Sequence, residues 1–60
     1  MTKYRAGDVL EDKANQNINV VILFPLRIKW RGYQRYRVRF YNKGEFNTGV
    51  AYEQELVGKV

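Results

Sequence analysis

The segment from residue 27 to residue 40 alternates basic and apolar side chains on both sides of a short break at Gly32. Alternation with a period of two is typical of a strand with one buried face, and a glycine between two such runs is typical of a turn. The segment therefore predicts a β-hairpin whose loop is Gly32-Tyr33-Gln34.

The predicted hairpin collects six cations on one face. A loop at residues 32–34 places residue 31 opposite 35, residue 29 opposite 37 and residue 27 opposite 39. If the register of the two strands shifts by two residues, cations still lie opposite cations, whereas a shift by an odd number would mix the two faces. Like charges opposite each other destabilise a strand pair, and no acidic residue lies between Asp12 and Glu45 to compensate. The basic face is therefore a candidate polyanion site, consisting of Arg27, Lys29, Arg31, Arg35, Arg37 and Arg39. A solvated outer face of a sheet is the alternative interpretation.

Aromatic side chains divide between the two faces of this hairpin. Trp30, Tyr36 and Phe40 fall on the face opposite the cations, so we predict that they belong to the core. Tyr33 at the tip and Tyr41 on the parity of the basic face are candidates for stacking on bases beside the arginines. The predicted nucleic-acid-binding residues are thus the six cations with Tyr33 and Tyr41, although both tyrosines could also be ordinary exposed residues.

The rest of the chain alternates short β-prone segments with turn residues. In the second strand the even positions predict a buried row. Proline cannot donate to a strand ladder, so Pro25 predicts an edge, a bulge or a break, and we expect a bend there. If the strand is only bent, the buried row continues to Leu26, Ile28 and Trp30. Gly49 predicts a bulge or a close approach. The predicted elements are strands at 8–13, 18–24 and 46–52, turns at 15–17 and 42–45, one helical turn at 53–56 and an edge strand at 57–60.

Composition limits the chemistry of the chain. Sixty residues form one small domain, 1–60, near the lower limit for a core without disulfides or metal, so association with a partner or with a second copy is a natural expectation. The chain has no Cys and no His, which removes thiol chemistry, the usual zinc sites and the commonest general base. The acidic residues show no clustered ligand spacing. We therefore expect no enzyme, no metal and no cofactor.

Charge and hydropathy indicate the environment and the kind of partner. The net charge is +5 and the pI is about 9.8, which favours nucleic acid or an acidic protein surface. The longest apolar run, 20–26, is too short to cross a bilayer, and no apolar segment of signal-peptide length follows Met1. We expect a cytoplasmic protein that does not bind membranes.

Three short motifs carry a family resemblance. The patterns Tyr4-x-x-Gly7-Asp8-Val9, Tyr36-x-Val38-x-Phe40 and Glu53-x-Glu55-Leu56 together resemble the small SH3-like barrels of the Tudor and KOW groups. The resemblance implies an all-β, five-stranded, partly open barrel with one short helical turn before the last strand. It also implies a function among nucleic-acid binding, methylated-peptide binding and protein docking. The charge here lies on a central hairpin rather than in the early turn that is usual for KOW domains, and small basic chains of this kind look like bacteriophage or bacterial accessory proteins.

The sequence thus predicts a non-catalytic module that binds DNA or RNA with low sequence specificity through the basic hairpin. The alternative is a protein-interaction module that docks on an acidic partner or self-associates as a homo-oligomer. A methyl-lysine cage would need converging rings; Tyr4, Tyr52 and Glu53 could contribute, but no spacing indicates that they converge.

Overall fold

Five antiparallel strands in one open sheet make up most of the chain. The computed structural model describes residues 2–13 and 18–58. Across the sheet the order is β4-β3-β2-β1-β5, and the 3₁₀ turn Glu53–Glu55 precedes the last strand. The all-β prediction, including the helical turn before the last strand, is confirmed. The strands are β1 (Val9–Asp12), β2 (Ile18–Pro25), β3 (Arg35–Asn42), β4 (Glu45–Tyr52) and β5 (Leu56–Gly58).

Two of the predicted segments extend beyond the described residues. The predicted turn at 15–17 lies outside them, and so do the last two residues of the predicted edge strand at 57–60. β5 lies at one end of the sheet order, the edge position predicted for the last strand, and it pairs with β1. It begins at Leu56, which was predicted to belong to the helical turn.

One face of the sheet forms the core. Val20 lies opposite Phe40 and Ile22 lies opposite Val38, so their side chains share a face between β2 and β3. Each such side chain, once buried, contributes about 1.5–3 kcal/mol relative to exposure. Tyr36 is fully buried and Phe40 packs against the cluster, so both predictions of core residues on β3 are confirmed. The buried cluster consists of Tyr4, Leu10, Val20, Ile22, Tyr36, Val38, Ala51 and Leu56.

A polar contact lies at the edge of this core. The Tyr36 hydroxyl donates a hydrogen bond to the Glu53 carboxylate and accepts one from the backbone N–H of Tyr4 at 3.3 Å. The Tyr4 hydroxyl in turn donates to the backbone carbonyl of Leu56 at 3.2 Å. Burial, together with the hydrogen bond to Glu53, raises the pKa of Tyr36 to about 12. These bonds join the amino-terminal segment, β3, the 3₁₀ turn and β5.

A β-bulge in β2 redirects the end of that strand. Ile22 pairs with Val38 and Phe24 pairs with Arg37, so Leu23 is an extra residue on β2. The bulge changes the parity of the strand, and Phe24 therefore faces outward. A change of direction near Pro25 was predicted, and β2 does end at Pro25.

The predicted buried row is therefore wrong beyond Ile22. Phe24 is half-exposed because of the bulge, and Ile28 and Trp30 follow the end of the strand in a connection that leaves them outside the core. Ile28 is 79% exposed and Trp30 is 44% exposed.

The predicted pairing within residues 27–39 is also wrong. β3 pairs with β2 rather than with residues 27–31, and residues 26–34 connect the two strands. At the tip of this connection Trp30 and Tyr33 exchange two backbone hydrogen bonds of 3.0 and 2.9 Å. Arg31 and Gly32 close the turn with φ angles of 50° and 81°. Two successive left-handed residues are typical of the two-residue hairpin turn that matches strand twist. The turn therefore begins one residue earlier than predicted and has two residues rather than three.

Candidate nucleic-acid interface

Three arginines form a row along the outer face of β3. Alternation places Arg35, Arg37 and Arg39 on one face, with Tyr41 next in line, while Tyr36 and Val38 point into the core. Adjacent members of this arginine row are two residues apart, a separation of about 7 Å along the strand. The row therefore concentrates positive charge on the strand next to the edge strand β4.

The neighbours of the arginine row on both sides are uncharged. Arg39 pairs with Val21 and Thr48, Arg37 pairs with Phe24 and Val50, and Arg35 pairs with Tyr52. The cation pairs that the predicted hairpin required are replaced by arginines beside apolar or neutral side chains. This arrangement lets the arginine stems cover apolar surface, and it leaves the guanidinium groups without a carboxylate in any cross-strand position.

Arg35 differs from the other two arginines because it supports the connection before β3. Its Nη2 donates to the backbone carbonyl of Ile28 at 3.3 Å. The neighbouring Gln34 side chain donates to the carbonyls of Leu26 and Arg35 at 2.9 and 2.8 Å. Arg37 and Arg39 are therefore the better positions at which to test binding without disturbing the connection.

An aromatic pair lies at the far end of the arginine row. Tyr41 pairs with Phe46 across β3 and β4, and their rings meet edge to face with centroids 5.0 Å apart. The Arg39 guanidinium lies 5.6 Å from the centroid of the Phe46 ring, within the range of a cation–π interaction. Both rings are exposed, so this end of the sheet offers aromatic surface beside a cation.

A second aromatic group lies at the near end of the row, at the hairpin tip. The rings of Trp30 and Tyr33 both pack edge to face on Tyr52, with centroids 5.9 and 6.4 Å away. Tyr52 pairs with Arg35, so this aromatic tip adjoins the first arginine of the row. The Arg31 guanidinium lies 4.6 Å from the centroid of the Trp30 ring, within the range of a cation–π interaction.

Trp30, which was predicted to belong to the core, is a surface residue. Gly32 is the sequence signal for the turn, and a two-residue turn that ends at Gly32 makes Trp30 and Tyr33 cross-strand neighbours.

The structure brings together only part of the predicted site. Arg35, Arg37, Arg39 and Tyr41 lie on one strand face, and Tyr33 lies at the tip beside them. The other three predicted cations, Arg27, Lys29 and Arg31, are exposed and lie in the connection, outside the strands. Arg27 lines an open cavity of about 570 Å³ that Phe24, Leu26 and Ile28 make largely apolar.

The residues considered for a methyl-lysine cage do not converge. Tyr4 is buried and its ring packs against Tyr36 with centroids 5.7 Å apart, whereas Tyr52 contacts the aromatic tip. Glu53 is held by the Tyr36 hydroxyl. Tyr4 and Glu53 therefore stabilise the core around Tyr36, and Tyr52 supports the aromatic rings at the tip.

Comparison of the sequence with models of protein families, with curated proteins and with solved structures finds no significant match. Within residues 2–13 and 18–58 no group of three or more acidic side chains is placed to hold a metal ion. The same residues include no helix with the length and apolar character needed to span a membrane.

Proposed function

We propose that this chain is a non-catalytic, SH3-like module that binds nucleic acid through the outer face of β3. The observation that carries the proposal is the arginine row, in which all cross-strand neighbours on β2 and β4 are uncharged. Arginine suits this role because its planar guanidinium can donate two hydrogen bonds to one phosphate. The net charge of +5 favours association with a polyanion over the whole molecule.

Sequence specificity should be low. A row of arginines on a sheet face contacts phosphates, and phosphate contacts position a nucleic acid without reading its sequence. Two or three such contacts give modest affinity that falls as salt is added, because binding releases counterions.

The test is a fluorescence-anisotropy titration of labelled single-stranded DNA, duplex DNA and RNA at about 20 mM and 200 mM NaCl. We expect binding at low salt, and we expect Arg37→Glu/Arg39→Glu to weaken it at least about tenfold. Lys3→Glu/Lys13→Glu is the matched control, since both lysines are exposed and the change in net charge is the same. The control should lose less affinity, because its lysines lie outside the arginine row.

Two results would contradict the proposal. One is the absence of binding to every nucleic acid at low salt. The other is equal loss in the two variants, which would show that net charge rather than the arginine row determines binding.

A second candidate function, self-association, is supported by the character of β4. It lies at one end of the sheet order, has eight residues, and its charged residue, Glu45, is at its start. Edge strands of soluble proteins usually carry lysine, proline or a bulge that prevents pairing with another chain. β4 has an unbroken register with β3, and it exposes Phe46 and Val50. Antiparallel pairing of β4 with β4 of a second copy would extend the sheet.

A further inference from the structure

Exposed aromatic rings occupy both ends of the arginine row. Trp30 and Tyr33 are 44% and 49% exposed at the tip, and Tyr41 and Phe46 are 58% and 69% exposed at the other end. Cross-strand pairing places Tyr41 and Phe46 on the outer face with the arginines. The tip joins the same face through Tyr52, which pairs with Arg35.

We infer that the occupant of this face is single-stranded nucleic acid, with unpaired bases stacked on the two aromatic groups and phosphates on the arginines between them. The inference rests on the proposed function, and it names the substrate class. Every base has a π-face, so stacking tolerates any sequence and adds affinity that phosphate contacts alone do not supply.

A duplex does not use this surface well. Its bases are stacked on one another and paired, so they cannot cover rings on a flat sheet face, whereas a single strand can splay its bases outward. From Arg35 to Tyr41 the strand advances about 20 Å, enough for a short stretch of single strand. Exposed apolar surface on a small domain is a common mark of a binding site, and a site that contacts phosphates alone would leave these rings unused.

The rings are held in place before any ligand binds. Trp30 and Tyr33 are fixed across a two-residue turn and rest on Tyr52. Tyr41 and Phe46 support each other, and Arg39 lies over Phe46. Ring positions that are fixed in the free protein reduce the entropy lost on binding.

The experiment compares three ligands of equal length on the intact chain at about 50 mM NaCl: oligothymidine, the same backbone with abasic sites, and a duplex. We expect oligothymidine to bind about 5- to 150-fold more tightly than the abasic strand, the range that follows from one stacked base. Trp30 is the single tryptophan of the chain, so oligothymidine should quench its fluorescence and the abasic strand should not. This readout uses the unmodified protein and needs no variant to fold.

Variants then locate the stacking. Tyr41→Thr/Phe46→Thr keeps residues that favour strands and removes two rings, and we expect it to lose about 5-fold or more in affinity for oligothymidine and little for the abasic strand. Val9→Thr/Val57→Thr is the matched control, because both valines are exposed on the same face but carry no ring. Circular dichroism establishes that each variant is folded.

The outcomes separate the two proposals. Equal affinity for oligothymidine and the abasic strand, without quenching of Trp30, would overturn stacking while leaving phosphate binding in place. Tighter binding of the duplex than of oligothymidine would also overturn it. If none of the three ligands binds, the proposed function itself fails, and a protein partner or a second copy becomes the occupant of the face.

Discussion

Tyr36 is the residue whose hydroxyl joins distant parts of the chain. It donates to Glu53 and accepts from the Tyr4 backbone N–H, so Tyr36→Phe leaves a buried amide and a carboxylate each short of a partner. We expect the variant to lose about 1–3 kcal/mol of unfolding free energy at pH 7. Urea unfolding followed by circular dichroism measures the loss. Tyr41→Phe, which removes an exposed hydroxyl, is the control and should change stability by less than about 0.5 kcal/mol.

Because of the raised pKa of Tyr36, the stability of the fold should depend on pH in the alkaline range. Its pKa of about 12 in the folded chain lies above the ordinary value of 10.0, so folding favours the neutral phenol. That contribution is fully present below pH 10 and is lost as the pH rises from 10 to 12. The stability difference between wild type and Tyr36→Phe should therefore shrink across this interval. A difference that stays constant from pH 9 to pH 12 would contradict the assignment.

The sequence predicted correctly which side chains of β3 face the core, but it did so only in part for β2. Simple alternation places the three arginines of β3 on one face and Tyr36 and Val38 on the other. The alternation holds because β3 has a regular register with β4 along its whole length. Alternation fails at Phe24 because one extra residue, Leu23, reverses the parity. A bulge leaves no reliable mark in an apolar run, so the exposure of Phe24 could not be predicted from residue types.

The β3–β4 hairpin presents both the arginine row and the Tyr41–Phe46 pair, and it depends on the turn at Lys43-Gly44. These residues have φ angles of 52° and 79°. Gly44→Ala should cost about 1–2 kcal/mol, because a left-handed conformation disfavours any residue with a Cβ atom. For a domain of this size each kcal/mol lowers Tm by about 4–8 °C, so thermal unfolding detects the change.

A substitution at the neighbouring residue, Lys43, is expected to have the opposite effect on Tm. Lys43→Asn introduces a residue that tolerates the left-handed region, and it should raise Tm or leave it unchanged. If Gly44→Ala matches wild type in Tm, the turn is not of the left-handed type described here.

Comparison of the two hairpin turns shows which elements the sequence could predict. Asn42-Lys43-Gly44-Glu45 is directly predicted as a turn because it contains asparagine and glycine. The turn at the tip was predicted to be longer and to begin one residue later, because Arg31 is an unusual residue for a left-handed position and Gly32 was predicted to be the first residue of the loop. Trp30 was predicted to belong to the core because the even row of β2 was continued past Pro25, where the strand ends. Half of the aromatic surface was therefore not predicted.

The charge of the whole molecule affects the two candidate functions in opposite directions. A molecule of net charge +5 attracts a polyanion and repels a second copy of itself. Salt screens both effects, since the Debye length falls from about 10 Å at 0.1 M to about 3 Å at 1 M. Added salt should therefore weaken nucleic-acid binding and strengthen any pairing through β4.

For nucleic-acid binding the number of phosphate contacts gives the expected salt dependence of the affinity. Three phosphate contacts to a single strand give a slope of log affinity against log salt of about −2, and removal of one contact reduces its magnitude by about 0.7. Arg39→Gln should therefore give a shallower slope as well as weaker binding, which anisotropy at four or five salt concentrations measures. A slope unchanged by Arg39→Gln would mean that Arg39 does not contact phosphate.

For self-association the dependence on salt has the opposite sign. Light scattering after size exclusion at about 50 mM and 500 mM NaCl should show a larger dimer fraction at high salt, and Asn47→Lys should reduce it because a lysine on an edge strand opposes pairing with a second chain. Lys13→Gln removes a charge away from β4 and is the control. A protein that stays monomeric at both salt concentrations and binds single strands with a slope near −2 uses the outer face of β3 and not the edge of β4. Dimerisation that increases with salt, without any binding of single strands, assigns the function to the edge instead.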